Sequence, residues 1–159
     1  MSPSGAASSA RREWLVRGVT IVAIAGAVVL GAVVLLKAWP LINVVETGRT
    51  PEYPDITPRV YRVSTDRVFD AALHAVHRLP RWSLVSSRPE TGEIRVEAKT
   101  LMLRFVDDIL IRVTAGGETV VVAVRSASRI GRGDFGQNAR NIRAFFDELD
   151  RQLTRASTP

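Results

Sequence analysis

An α+β domain behind a single N-terminal membrane helix is the fold class this sequence predicts. Three observations lead there. Gly18 to Leu36 contains no charged residue. Four consecutive stretches between Trp82 and Ala127 read as strands, and an apolar pattern of helical spacing lies on either side of that group. Strands in a run with helices at the ends give an antiparallel sheet with helices on one face. The expected order is β-α-β-β-β-β-α, with four to five strands and two helices packed on one side.

The first ten residues, MSPSGAASSA, are small and polar and are expected to be disordered. Residues 1–17 read as a short tail and 18–36 as the membrane span. As a helix the span is about 28 Å long, close to the roughly 30 Å of a bilayer core. Arg17 and Lys37 bound it, and Trp14 and Trp39 lie just outside, where amphipathic rings favour the interface. A buried helix of a soluble core and a cleaved signal peptide are the rival readings. The run exceeds the about 7–15 residues of a signal-peptide core, and no small-x-small cleavage site follows. Arg11, Arg12 and Arg17 precede the span, offset by Glu13, while Lys37 stands alone after it. The positive-inside bias therefore puts the N-terminus in the cytoplasm and the rest outside it. Ala23, Ala27 and Gly31 form a small-residue stripe, which is either ordinary span composition or a surface for another helix.

Residues 37–58 carry Pro40, Pro51, Pro54 and Pro58, so an extended, semi-rigid linker is expected there, packed on the domain through Tyr53 and Ile56. The domain proper is expected over 59–155. Arg59 to Val63 alternates as a short strand. Ser64 can cap a helix with Asp66 in its first turn, and Val63 and Val68 are spaced as a hydrophobic staple. Phe69, Ala72, Leu73, Val76 and Leu79 make the buried face, and Pro80 ends the helix. Trp82 to Arg88 is the next strand, with a turn at 89–92. Glu93 to Lys99 alternates, with Ile94, Val96 and Ala98 on one face. Leu103 to Val113 and Thr119 to Ala127 follow. A last helix runs from about Asp134 to Leu153, with Ile142, Phe145, Phe146, Leu149 and Leu153 as its apolar side.

Gly116-Gly117 suits a two-residue type I′ hairpin loop. That loop pairs Val113 with Val120, Ile111 with Val122 and Ile109 with Val124, all on the apolar face. It also sets Asp107 opposite Ser126 on the core side, Asp108 opposite Arg125 on the other side, and Arg104 near Arg129. A carboxylate in a core row must be paired or hydrogen-bonded. Its candidate partners are Ser126, Ser128, Arg129 and the start of the last helix with Asn138 and Arg140. Two readings stand: a structural ion-pair network that pins the 128–137 loop, or a functional site. A bulge at Asp107-Asp108 would exchange the two acids.

Other patterns carry less. Gly131, Gly133 and Gly136 spell G-x-G-x-x-G, but no βαβ unit follows, so no dinucleotide cofactor is expected. Free amides at the helix start with Arg129, Arg132, Arg140 and Arg143 offer an anion site. His74 and His77 are the only histidines and lack a third ligand, and no cysteine is present, so no metal site and no disulfide is expected. Leu101, Met102 and Leu103 form either an apolar hairpin tip, able to touch a membrane or a partner, or a continuing core strand. The chain has 22 basic and 16 acidic groups. Arg11, Arg12, Arg17, Lys37 and Glu13 belong to the span's flanks, which leaves a mildly basic, mixed-sign remainder and no case for nucleic acid.

RFVDDILIRV at 104–113, RSASRIGRGDFGQNARNIRAF at 125–145 and NVVETGRTPEYPDITPRVY at 43–61 together resemble the domain-of-unknown-function 1499 family. The pattern R-S-x-S-R-x-G-x-x-D-x-G-x-N-x-R-x-I falls on Arg125, Ser126, Ser128, Arg129, Gly131, Asp134, Gly136, Asn138, Arg140 and Ile142. Arg143 lies close enough to take the role of Arg140. The resemblance implies a membrane-associated envelope protein and supplies no reaction. The expectation is a single-pass protein of the bacterial inner membrane whose outer domain is an accessory or binding module for a protein complex or a lipid. The alternative is a membrane-anchored hydrolase using Asp107 or Asp108 with Arg129.

Overall fold

The computed structural model describes residues 4–38, 42–100 and 105–155, with side chains of the first helix described over 17–34. Trp39, Leu101 to Leu103, and Arg104 with its expected pairing to Arg129, lie outside the described residues, as does the side chain of Trp14. The chain divides into two compact units, 1–39 and 40–159.

The first unit is one helix, α1 (Ser4–Ala38). It begins well before the span, so 4–10 are helical rather than disordered. Ala6, Ala7 and Ala10 are strong helix formers, and the single Gly5 lies in the first turn. Arg17 to Val34 is long and apolar enough to cross a membrane, and none of it is buried within the protein.

The second unit is an antiparallel sheet with two helices on one face. Its elements are β1 (Val44–Glu46), β2 (Arg59–Tyr61), α2 (Thr65–Arg78), β3 (Trp82–Arg88), β4 (Glu93–Lys99), β5 (Val106–Gly116), β6 (Thr119–Ser128) and α3 (Gln137–Arg155). The strand order is β1-β6-β5-β4-β3, and β2 also pairs with β6. β1 and β2 therefore lie end to end along one edge of β6, at Ala127 to Arg125 and at Val122 to Val120. The sheet has six strands because the stretch expected to be a linker contributes β1. Thr47 closes the gap between them: its Oγ1 accepts from the Val124 amide at 3.1 Å, and its own amide donates to the Val124 carbonyl at 3.0 Å. Ile56 is buried and Tyr53 partly so, so this stretch packs on the domain as expected.

Ser64 caps α2, accepting from the Arg67 amide at 3.4 Å. The helix buries Val68, Phe69, Ala72, Ala75 and Val76 against the sheet. Ile94, Val96, Ile109, Ile111, Val122 and Val124 face back, and Ile142, Phe145 and Leu149 of α3 fill the other half of this layer. The Phe145 ring stacks on Trp82 with centroids 6.3 Å apart and planes at 8°.

The β5–β6 register differs from the expected one by two residues. Gly116 stays in the ladder opposite Thr119, so the loop is Gly117-Glu118. Only Gly117 has a positive φ, +70°, whereas a type I′ loop needs two such residues and a type II′ loop needs one. Val113 thus faces Val122, Ile111 faces Val124 and Asp107 faces Ser128. An even shift leaves every side chain on its expected face.

Candidate functional site

The polar residues expected to form one cluster separate into two groups on opposite faces of the sheet. Alternation along β5 is the cause: Asp107 points to the helices and Asp108 away from them.

The inner group is centred on buried side chains. Asp107 is 1% exposed, and Ser126 and Asn138 are fully buried. The Ser128 hydroxyl donates to Asp107 Oδ1 at 2.7 Å, and Asn141 Nδ2 donates to Oδ2 at 2.9 Å. Asn138 is the hub. Its Oδ1 accepts from Ser126 Oγ at 2.6 Å, while Nδ2 donates to Ser128 Oγ and to the Asn43 carbonyl, both at 3.0 Å. One network thus joins β5, β6, α3 and the residue before β1. Of the expected candidate partners of Asp107, Ser128 bonds it directly, while neither Arg129 nor Arg140 does. The carboxylate is sealed by neutral donors, so burial pushes its pKa up against the opposing pull of Ser128 and Asn141. Asn43 and Asn141 escaped the sequence reading. Asn141 follows Asn138 by three positions, which on a helix is the same face.

A pH dependence follows. A carboxyl with a raised folded pKa binds its proton more tightly in the native state, so its ionisation weakens the fold as pH rises through that value. In urea titrations the wild type should gain stability relative to Asp107→Asn as pH falls from about 7 to about 4. Parallel pH profiles for the two proteins would show that Asp107 titrates normally.

The outer group is charged. Arg129 Nε donates to Asp108 Oδ2 at 2.9 Å, and its Nη2 reaches Asp108 Oδ1 at 2.6 Å and Glu97 Oε1 at 2.5 Å. Glu97 and Asp108 are cross-strand partners, so one guanidinium bridges two carboxylates that would otherwise repel. Asp108 and Glu97 raise the pKa of Arg129. Arg125 faces Leu110 rather than Asp108. With Val85, Arg95 and Leu110 these groups line an open cleft of about 380 Å³. Its lining holds no Ser, Thr, Cys or His, so no hydroxyl, thiol or imidazole stands beside the acids there.

Asp134 and Arg140 join neither group. Asp134 caps α3: its carboxylate accepts from the Gly136 and Asn138 amides at 2.9 and 2.6 Å. This overturns the expected anion site, because the protein's own carboxylate holds those amides. Three of the four expected arginines are engaged as well, while Arg132 is exposed. Arg129 binds the two acids, Arg143 binds Asp55 at 2.7 Å, and Arg140 donates to the Phe135 carbonyl and to Gln137. α3 starts at Gln137 rather than Asp134 because Phe135 and Gly136 are both left-handed, with φ of 51° and 75°. The glycines of G-x-G-x-x-G lie in this connection. His74 and His77 are exposed on α2, and no group of three or more metal-binding side chains occurs among the described residues.

A family model described as "Protein of unknown function (DUF1499)" matches residues 28–149. No curated protein matches the chain. Among solved structures, the crystal structure of TTHA0849 from Thermus thermophilus is similar at 11% identity and a TM-score of 0.40. That match covers 72% of this chain and 99% of the other.

Proposed function

The chain belongs to the DUF1499 family, and from that premise we propose that it is a single-pass accessory module of a bacterial envelope. In this reading α1 crosses the cytoplasmic membrane with residues 1–17 inside, and the sheet domain lies outside, where it contacts a protein complex or a lipid. One observation carries the reading: Arg17 to Val34 is a helical apolar stretch with no protein cover. Such a surface suits a hydrocarbon environment. The basic flank Arg11, Arg12 and Arg17 supports the orientation. Several features favour a binding role over hydrolysis. The core is filled by Ile111, Ile142, Phe145 and Leu149, Asp107 is spent on structure, and Asp108 is neutralised by Arg129.

The test is topology together with retention. The full chain should stay in the membrane fraction after alkaline carbonate, and a C-terminal reporter active only outside the cytoplasm should report. Release by carbonate, or a reporter active only in the cytoplasm, would sink the reading. Purification from native membranes should then recover specific proteins or lipids; the chain alone and lipid-free would count against an accessory role.

A further inference from the structure

We infer that the β6–α3 loop is a membrane-seating surface, which docks the domain onto the outer face of the bilayer that its own helix spans. This rests on the membrane-anchored reading above. Ile130 and Phe135, on either side of this loop, are 63% and 61% exposed. Phe105, beside the Val106 carbonyl that accepts from the Arg129 amide, is a third large apolar side chain exposed at the same end of the sheet. Phe135 also holds a φ of 51°. A side chain with a β-carbon adopts that left-handed region at a cost, and here most of the ring stays exposed. The loop thus presents apolar surface that the folded domain does not cover.

Chain length limits how far the loop can lie from the helix end. The loop is tied to the first described residues of the domain. The Asp134 amide donates to the Ile42 carbonyl at 3.1 Å, and Asn43 Nδ2 donates to the Gly131 carbonyl at 2.9 Å. Helix α1 ends at Ala38. Four residue steps reach no farther than about 14 Å, so Ile42 stays within that distance of the helix end. In the anchored reading, the loop bonded to Ile42 is thereby tethered near the bilayer surface. Its chemistry suits that zone: apolar Ile and Phe side chains for the acyl boundary, and exposed Arg132 for headgroup phosphates. The one acid of the loop, Asp134, is turned inward as the helix cap.

The cysteine-free sequence permits a direct test. Single cysteines are placed in the full chain by Ile130→Cys, Phe135→Cys, Val29→Cys and Ser87→Cys. Each variant is labelled with a polarity-sensitive fluorophore and reconstituted in vesicles of phosphatidylethanolamine and phosphatidylglycerol. Ser87 is exposed and pairs with Ile94, toward the other end of the sheet. Labels at 130 and 135 should be several-fold less accessible to an aqueous quencher than the label at 87, and should be quenched by a lipid-borne quencher. Adding Phe135→Ser to the Ile130→Cys chain should restore most of the lost accessibility. If the label at 29 lies in lipid while those at 130 and 135 behave like 87, this inference fails and the anchor reading stands. If 130 and 135 are shielded but unreachable from lipid, a protein covers the loop and the inference also fails. An aqueous label at 29 overturns the anchor reading and this inference together.

Discussion

Asn138→Ala is expected to lower the domain's unfolding free energy by about 3 kcal/mol, measured by urea denaturation of the full chain in detergent. Asn138 is fully buried and makes three side-chain hydrogen bonds, to Ser126, Ser128 and the Asn43 carbonyl. Alanine keeps the backbone bond to Asp134 but leaves the Ser126 hydroxyl without its acceptor in a buried site. An unpaired buried donor costs more than the bond it made was worth, because it gave up water to get there. A cavity the size of the lost amide adds to this. The substitution should also loosen the junction of 42–43 with α3. Amide exchange at Ser128 and Asp134, which donate to Asn43 and Ile42, should therefore accelerate before exchange in the β4–β5 ladder. A loss under about 1 kcal/mol would mean that the network tolerates the gap and that Asn138 is not its hub.

Gly92→Ala should cost a similar amount for a different reason. Gly92 has a φ of +66° and follows the short 3-10 turn Pro89–Thr91 that joins β3 to β4. A β-carbon there would overlap the Val113 carbonyl oxygen and lie 3.1 Å from its carbon. The Val113 amide meanwhile donates to the Gly92 carbonyl at 2.8 Å, so the two backbones cannot separate without losing that bond. The left-handed backbone and the broken bond together amount to about 3 kcal/mol. Gly117→Ala is the control. Its φ is +70° but no atom lies within 4 Å of the new carbon, so only the conformational cost of about 1–2 kcal/mol applies. Equal losses in the two variants would show that crowding at Val113 has relaxed.

Much of this architecture could be read from residue patterns. Glu93 to Lys99 alternates without exception and is a strand over that span, and Trp82 to Arg88 coincides with β3. The apolar spacing of α2 and α3 placed their buried faces. β1 was illegible because three residues are too few for a period, and they stand among prolines that argue for a linker. The hairpin register turned on which glycine takes the positive φ, and Gly116-Gly117 offers both; the choice falls to Gly117 only when Thr119 pairs with Gly116. Asp107 was rightly placed on the core side, because the register error was even. Its candidate partners included Ser128, which bonds it, and the arginines, which do not. Arg129 follows β6 on the outer face, where it meets Asp108 and Glu97 instead. Glu97 could not be joined to this site before the β4–β5 pairing was known, since that pairing is a fact of long-range register rather than of local pattern.

The pairing of β1 with β6 also sets an order of events during synthesis. β3 to β6 form a meander of neighbouring strands, which can assemble through short loop closures as the chain emerges. β1 leaves the ribosome before all of them, yet its only partner strand ends at Ser128, and Asn138, which bonds to Asn43, lies 95 residues downstream of it. β1 must therefore wait, unpaired, until β6 has been made. Completion of the fold is thus timed by the arrival of α3, and a nascent chain truncated before β6 leaves β1 without its partner strand.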